Sequence, residues 1–288
     1  MRTSLIQSVF DSLGYLRLAE GMPMASEVTQ SNEPADSAGI AHGSSAAGAI
    51  HVKGLTKEFD TEEGTERVFE DVDFDIEPGS FVTLIGRSGS GKSTMLNIIS
   101  GVLEPTAGRV EFEATQDGEV TLGHVFQSPR LLPWNTCVEN IEYVHEDNPD
   151  YSRELAEEYL DLVGLSNHYD KYPSQLSGGQ RQRVGITRAL SIDPEILIMD
   201  EPFSNLDEIT AESLREELID IWQKLGKTVF FVTHDITEAI ELSDRILMLG
   251  DGRIFDDMSI DLERPRDVDS EEFLKVRQDA INRFHAIK

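Results

Sequence analysis

Residues 80–100 read SFVTLIGRSGSGKSTMLNIIS, and three kinds of local structure are written into them. Residues 81–85 are nearly all apolar, as expected of a strand covered on both faces. Glycines then interrupt the run, and Met95, Ile98 and Ile99 follow at helical core spacing. Gly86, Gly91, Lys92 and Ser93 fall on the pattern G-x-x-x-x-G-K-[ST]. Glycines let the main chain curl until successive N–H groups converge on an anion, and a helix N-terminus adds positive potential. The backbone of Gly86, Arg87, Ser88, Gly89, Ser90 and Gly91 is therefore expected to cradle the phosphates of a nucleotide. Lys92 would reach the β and γ phosphates, while Ser93, followed by Thr94, offers a hydroxyl to Mg²⁺ at the helix start.

Working outward, strand and helix signals recur on both sides. IHVKGLTKEF and VFEDVDFDI alternate with period two, with DTEEGTE as the turn between them. EILIMD and TVFFVTH read as short buried strands, separated by the amphipathic helix AESLREELIDIWQKLG. RELAEEYLDLVGL predicts a further helix with Leu155, Tyr159, Leu162 and Val163 on one face. This order predicts an α/β fold with a mostly parallel sheet and helices on both sides. Ligands of such sheets bind outside the carboxyl ends of the strands, which singles out the residues that end each apolar run. Asp200 is the expected Mg²⁺ partner, and Glu201 is placed to take a proton from an attacking water. His234 could donate to the γ-phosphate as charge develops there, and the Gln127 amide could touch both Mg²⁺ and the water.

A second glycine cluster, LSGGQRQRV at residues 176–184, pairs glycines and serine with two arginines and also suits an anion. The residues together answer why one chain would need two cradles. GRSGSGKST, Gln127, LSGGQ, ILIMDEP, SNLD and His234 stand in the order found in ATP-binding-cassette (ABC) ATPases, which residues 50–288 resemble. The resemblance implies a P-loop NTPase fold with an N-terminal antiparallel β subdomain and a helical subdomain inserted at about residues 128–177. It implies that Ser177, Gly178, Gly179 and Gln180 act in trans, on the ATP held by a second subunit, so that two chains close head to tail around two nucleotides. Phe59 resembles the aromatic that stacks on adenine, and Asn205 stands where the family more often has alanine.

VFQSPRLLPWNTCVENI resembles the same region of nitrate, sulfonate, taurine and bicarbonate importer cassettes. Pro129, Leu131, Leu132, Pro133 and Trp134 would there form an apolar rim for a helix of a separate permease. The tail DLERPRDVDSEEFLKVRQDAI resembles the ending of the same subgroup. The implied assembly is a homodimer, or a pair with a second cassette, on the cytoplasmic face of the membrane, with an extracytoplasmic solute-binding protein engaged indirectly. The cargo is not readable from this subunit, and cassettes for a pyrimidine vitamin precursor or for iron–sulfur assembly remain alternatives.

Composition bounds the rest. No apolar run approaches the ~18 residues that span a bilayer. Residues 25–49 are small, polar and aperiodic and predict a disordered leader, with Met1, Met22 or Met24 as the start. The single cysteine, Cys137, suits a reducing compartment. Asp and Glu number 54 against 25 Lys and Arg, a net charge of −29, which disfavours nucleic acid as a partner. Such a surface repels itself unless salt shortens the Debye length, to about 3 Å at 1 M. A salt-loaded cytoplasm is the expected setting. The melting temperature should therefore fall as salt is diluted below about 0.5 M, and a melting temperature indifferent to salt would remove that expectation.

Overall fold

The computed structural model describes residues 47–61, 64–114, 120–148 and 151–286. The expected leader lies outside the described residues up to residue 46, as do its candidate starts. Its predicted end at residue 49 is too late. Ala47 and Ala49 are buried, and the Gly48 carbonyl accepts from Thr228 Oγ1 at 2.6 Å. Small side chains serve here because a Cβ on Gly48 would already lie 3.0 Å from Ile196 Cδ1.

Two sheets carry the architecture. The smaller is antiparallel, in the order β2 (Gly64–Ile76), β1 (Ala49–Thr61), β4 (Ala107–Glu113). The larger runs β5 (Leu122–Val125), β6 (Ile196–Asp200), β7 (Thr228–Thr233), β3 (Phe81–Gly86), β8 (Arg245–Gly250), β9 (Arg253–Ser259). Its strands are parallel except for β9, which folds back on β8. The apolar runs alternate sides, as period two requires. Ile196, Ile198, Phe230 and Val232 enter one core with β1, β2 and helix α1 (Lys92–Ile99). Leu197, Met199, Val229 and Phe231 enter the other, beneath helices α4 (Gly178–Ser191) and α5 (Glu208–Leu225). One face of the parallel sheet is thus covered largely by the antiparallel sheet, where helices were expected on both.

Between β5 and α4 the chain forms α2 (Cys137–Glu142) and α3 (Arg153–Leu162), with 3-10 turns at Tyr143–His145 and Pro173–Gln175. Thr136 caps α2 in a reciprocal box with Glu139. The buried face of α3 differs from the expected one. Ala156, Leu160 and Val163 point inward, whereas Leu162 is 44% exposed and Leu155 and Tyr159 are only part-buried. The small Ala156 lets α3 approach closely, so the inward stripe lies one residue around from that read off the bulkier side chains. Burial raises the Cys137 thiol to about 11, so the lone cysteine sits protonated in this core. After β7, helix α6 (Ile236–Leu242) leads into β8, and α7 (Glu271–His285) packs on α6 and β9.

Candidate functional site

Strand register assembles the site. Ile85 of β3 pairs with Thr233 of β7, and Asp200 of β6 pairs with Val232. The glycine loop, the Asp200–Glu201 pair and His234 therefore leave the sheet at the same edge, on three adjacent strands. In the loop, Gly91 takes φ 98°, which an L side chain rarely adopts, and a Cβ there would lie 2.5 Å from Val68 Cγ1 of β2. The antiparallel sheet thus presses directly on the cradle. Ser90 Oγ is buried beside Gly86 without a hydrogen-bond partner, a polar atom turned into the loop.

Lys92 is 6% exposed, and its Nζ donates to the Gly86 carbonyl at 2.9 Å. Its ammonium lies 3.7 Å from Glu201 Oε1, while Glu201 Oε2 accepts from His234 Nδ1 at 2.9 Å. One carboxylate therefore joins loop, β6 and β7. Glu201 holds φ 39°, a strained value for a non-glycine residue, with its N–H donating to the Val232 carbonyl at 2.9 Å. His234 is steadied from behind, because Asp235 caps α6 by accepting from the N–H groups of Thr237 and Glu238. Burial first, then the charge of Glu201, raises the Asp200 carboxyl above its usual range.

Those two adjacent carboxylates, offset by Lys92 and Arg130, stand where a divalent cation could sit. Ser93, Gln127 and Asp200 would offer it a hydroxyl, an amide oxygen and a carboxylate, all hard donors of the kind Mg²⁺ prefers. Among the described residues no three His, Cys, Asp or Glu side chains converge on a metal, so phosphate and water would complete such a site.

Gln127 leaves β5 on a loop tied to the segment after Glu201. Its Nε2 donates to Ser204 Oγ at 3.1 Å, Ser204 Oγ donates to the Glu201 carbonyl at 2.9 Å, and Asn205 Nδ2 donates to the Gln127 carbonyl at 3.4 Å. Asn205 thus makes a bond that alanine could not. Phe59 is 39% exposed on β1, with the Lys57 ammonium over its ring at 4.8 Å from the centroid.

The second cradle lies elsewhere. Ser177 caps α4, accepting from Gln180 N–H at 3.2 Å, and Gln180 Oε1 accepts from Ser177 N–H at 2.9 Å. Gln180 Nε2 is occupied by His168 Nε2 at 3.1 Å, so its side chain builds the cap. Gly178 and Gly179 rest against Leu206 and Thr210, at the start of α5; a Cβ on Gly179 would lie 2.3 Å from Thr210 Cγ2. Helix α4 packs on β5, three strands from β3, which sets it about 14 Å across the sheet from the strand of the first cradle. The structure does not bring residues 177–180 together with Lys92.

The apolar rim is smaller than expected. Leu132 is buried in the core and Pro129 and Leu131 are part-buried, whereas Pro133 and Trp134 stand outside, Trp134 with 68% exposure. Leu132 is drawn inward because the buried Asn140 amide pairs with both its N–H and its carbonyl. Two residues passed over in the sequence also bear on the site. Gln182 and Arg188 of α4 donate to main-chain carbonyls of residues 126–130, and nothing in the pattern of side chains signals a backbone partner.

Comparison with known proteins places this geometry. The family model described as ABC transporter matches residues 69–204. The nitrate import ATP-binding protein NrtD of Synechococcus elongatus is 41% identical over 249 residues, covering 82% of this chain and 91% of that protein. The chain belongs to the ABC transporter ATP-binding proteins. The bicarbonate transport ATP-binding protein CmpD of Synechocystis sp. is 43% identical over 231 residues, covering 76% of this chain and 82% of that one. An aliphatic sulfonates import ATP-binding protein, SsuB of Rhodopseudomonas palustris, is 43% identical over 222 residues, covering 76% of each. Among solved structures, the dimeric, post-hydrolysis ATP-binding cassette MJ0796 with ADP and Pi superposes with a TM-score of 0.66 at 35% identity. It covers 74% of this chain and 100% of that one. The protein is accordingly an ABC ATPase with the expected fold. Among the described residues no helix is long and apolar enough to cross a membrane.

Proposed function

We propose that the chain is the ATP-hydrolysing subunit of an importer for small anions of the nitrate, bicarbonate or sulfonate kind. It works as a dimer at the cytoplasmic face of the membrane, beneath separate permease subunits. The observation that carries the two-chain reading is the separation, within one chain, of two helix N-termini fit for phosphate. One receives a nucleotide through Lys92. The other is left to cap the nucleotide of a second copy, as the dimeric cassette that this fold matches suggests. The importer reading is supported by relatives named for nitrate, bicarbonate and sulfonate. The net charge of −29 supports a setting of high ionic strength.

In this reading Phe59 stacks on adenine, the loop of residues 86–91 and Lys92 hold the phosphates, and Ser93, Gln127 and Asp200 hold Mg²⁺. When bound, the metal neutralises charge on the β and γ phosphates. Glu201 accepts a proton from water as the water oxygen bonds to the γ-phosphorus and the bond to the bridging oxygen of ADP breaks. His234, bonded to Glu201 through Nδ1, keeps that carboxylate aimed. Ser177 of the partner subunit closes the site. Its oxygen already accepts from Gln180 N–H, so its hydroxyl proton is free to donate to the γ-phosphate.

Two experiments check this. Glu201→Gln should retain ATP binding while steady-state hydrolysis falls about 100-fold or more, since a general base is worth that much. Hydrolysis within about threefold of wild type would remove the base assignment. Trp134→Ala should leave ATPase turnover of the free dimer within about twofold but weaken co-purification with the proposed permease subunits at least about tenfold, because an aromatic anchor buried on docking dominates such contacts. Unchanged co-purification would place the permease elsewhere.

A further inference from the structure

The loop of residues 126–130 carries Gln127 yet belongs to no helix or strand, so its main-chain carbonyls find no ladder partner and depend on groups from outside. Helix α4 supplies them from one face, at three-residue intervals. Gln182 Nε2 donates to the Phe126 carbonyl at 3.2 Å. Arg188 Nη2 donates to the Pro129 carbonyl at 2.9 Å and Nη1 to the Arg130 carbonyl at 3.1 Å. Between them Gly185 admits the loop so closely that a Cβ would lie 2.9 Å from Pro129 Cβ. Gln182 and Arg188 are each 2% exposed. Burying a guanidinium is costly, and an apolar side chain would fill the volume more cheaply. What only the forked guanidinium can do here is grip two successive carbonyls at once.

The same helix begins at Ser177. Its capping box, closed by Gln180 and backed by His168, makes Ser177 an integral end of α4. Ser177 and Arg188 are separated by ~17 Å of continuous helix, which moves as one piece. We propose that α4 is a strut between the two reaction centres of the dimer. Ser177 engages the nucleotide of the partner subunit, and Gln182 and Arg188 pass that position to Gln127 in their own subunit's site. Both are positioning residues, since neither reaches a nucleotide. The strut rests on the head-to-tail dimer proposed above. Its consequence is that each chain hydrolyses efficiently only while it is capping its neighbour.

The test uses the full chain at high salt with two mild substitutions. Gln182→Met keeps the shape and removes the donor; Arg188→Lys keeps the charge and loses the fork. Melting temperature, ATP-driven dimerisation in a Glu201→Gln background, kcat, KM for ATP and the Hill coefficient are measured for each. Folding and dimerisation should persist and KM should stay within about twofold, because binding is untouched. The kcat should drop roughly tenfold through misplacement of Gln127, and the Hill coefficient should fall from about two toward one. Dimers that form normally and retain the wild-type Hill coefficient would overturn the strut. A Glu201→Gln chain that never dimerises with ATP would overturn the underlying dimer instead. Should Arg188→Lys fail to fold, Gln182→Met alone decides.

Discussion

The site depends on the register in which β6, β7 and β3 end. Parallel strands bonded in that register bring the glycine loop, Asp200–Glu201 and His234 to one edge. The shared carboxylate of Glu201, between Lys92 and His234, is the electrostatic result. A shift of one residue would turn each buried strand over and move the apolar side chains of both cores to the wrong face. Catalytic geometry is therefore enforced by hydrophobic burial on two faces of the sheet. That force is large and has no chemistry of its own.

A different logic governs the second cradle. Residues 177–180 are held by a helix that packs on the far strand β5 and on the start of α5. Nothing in that packing directs them toward Lys92 of the same chain. The loop of Gln127 lies between the two bodies, bonded on one side to Ser204 and Asn205 and on the other to Gln182 and Arg188. Motion of the helical segment relative to the sheet would be felt there first. The exposed Trp134 stands seven residues on in sequence, so a permease docked there as proposed would bear on the same loop.

The sequence made the chemistry legible because phosphate chemistry constrains residue types at fixed spacing. Gly91, Lys92, Asp200, Glu201 and His234 each end or begin an element whose apolar run announces it, and the sheet edge collected them as expected. The buried stripe of α3 was misread because its decisive member is Ala156, too small to stand out in a pattern weighted by bulk. Leu132 was assigned to a surface rim although the buried amide of Asn140, on α2, draws it inward through its backbone N–H and carbonyl. Gln182 and Arg188 stayed invisible for the same physical reason. Their partners are carbonyl oxygens, which every residue carries.

The central claim is that neither chain holds a complete reaction centre. The most direct measurement is ATP turnover per chain over a dilution series, run at constant salt and saturating ATP with sedimentation in parallel. A rate per chain that climbs with concentration and vanishes where only single copies sediment is the predicted result. A rate per chain that stays constant through the monomeric range would contradict it.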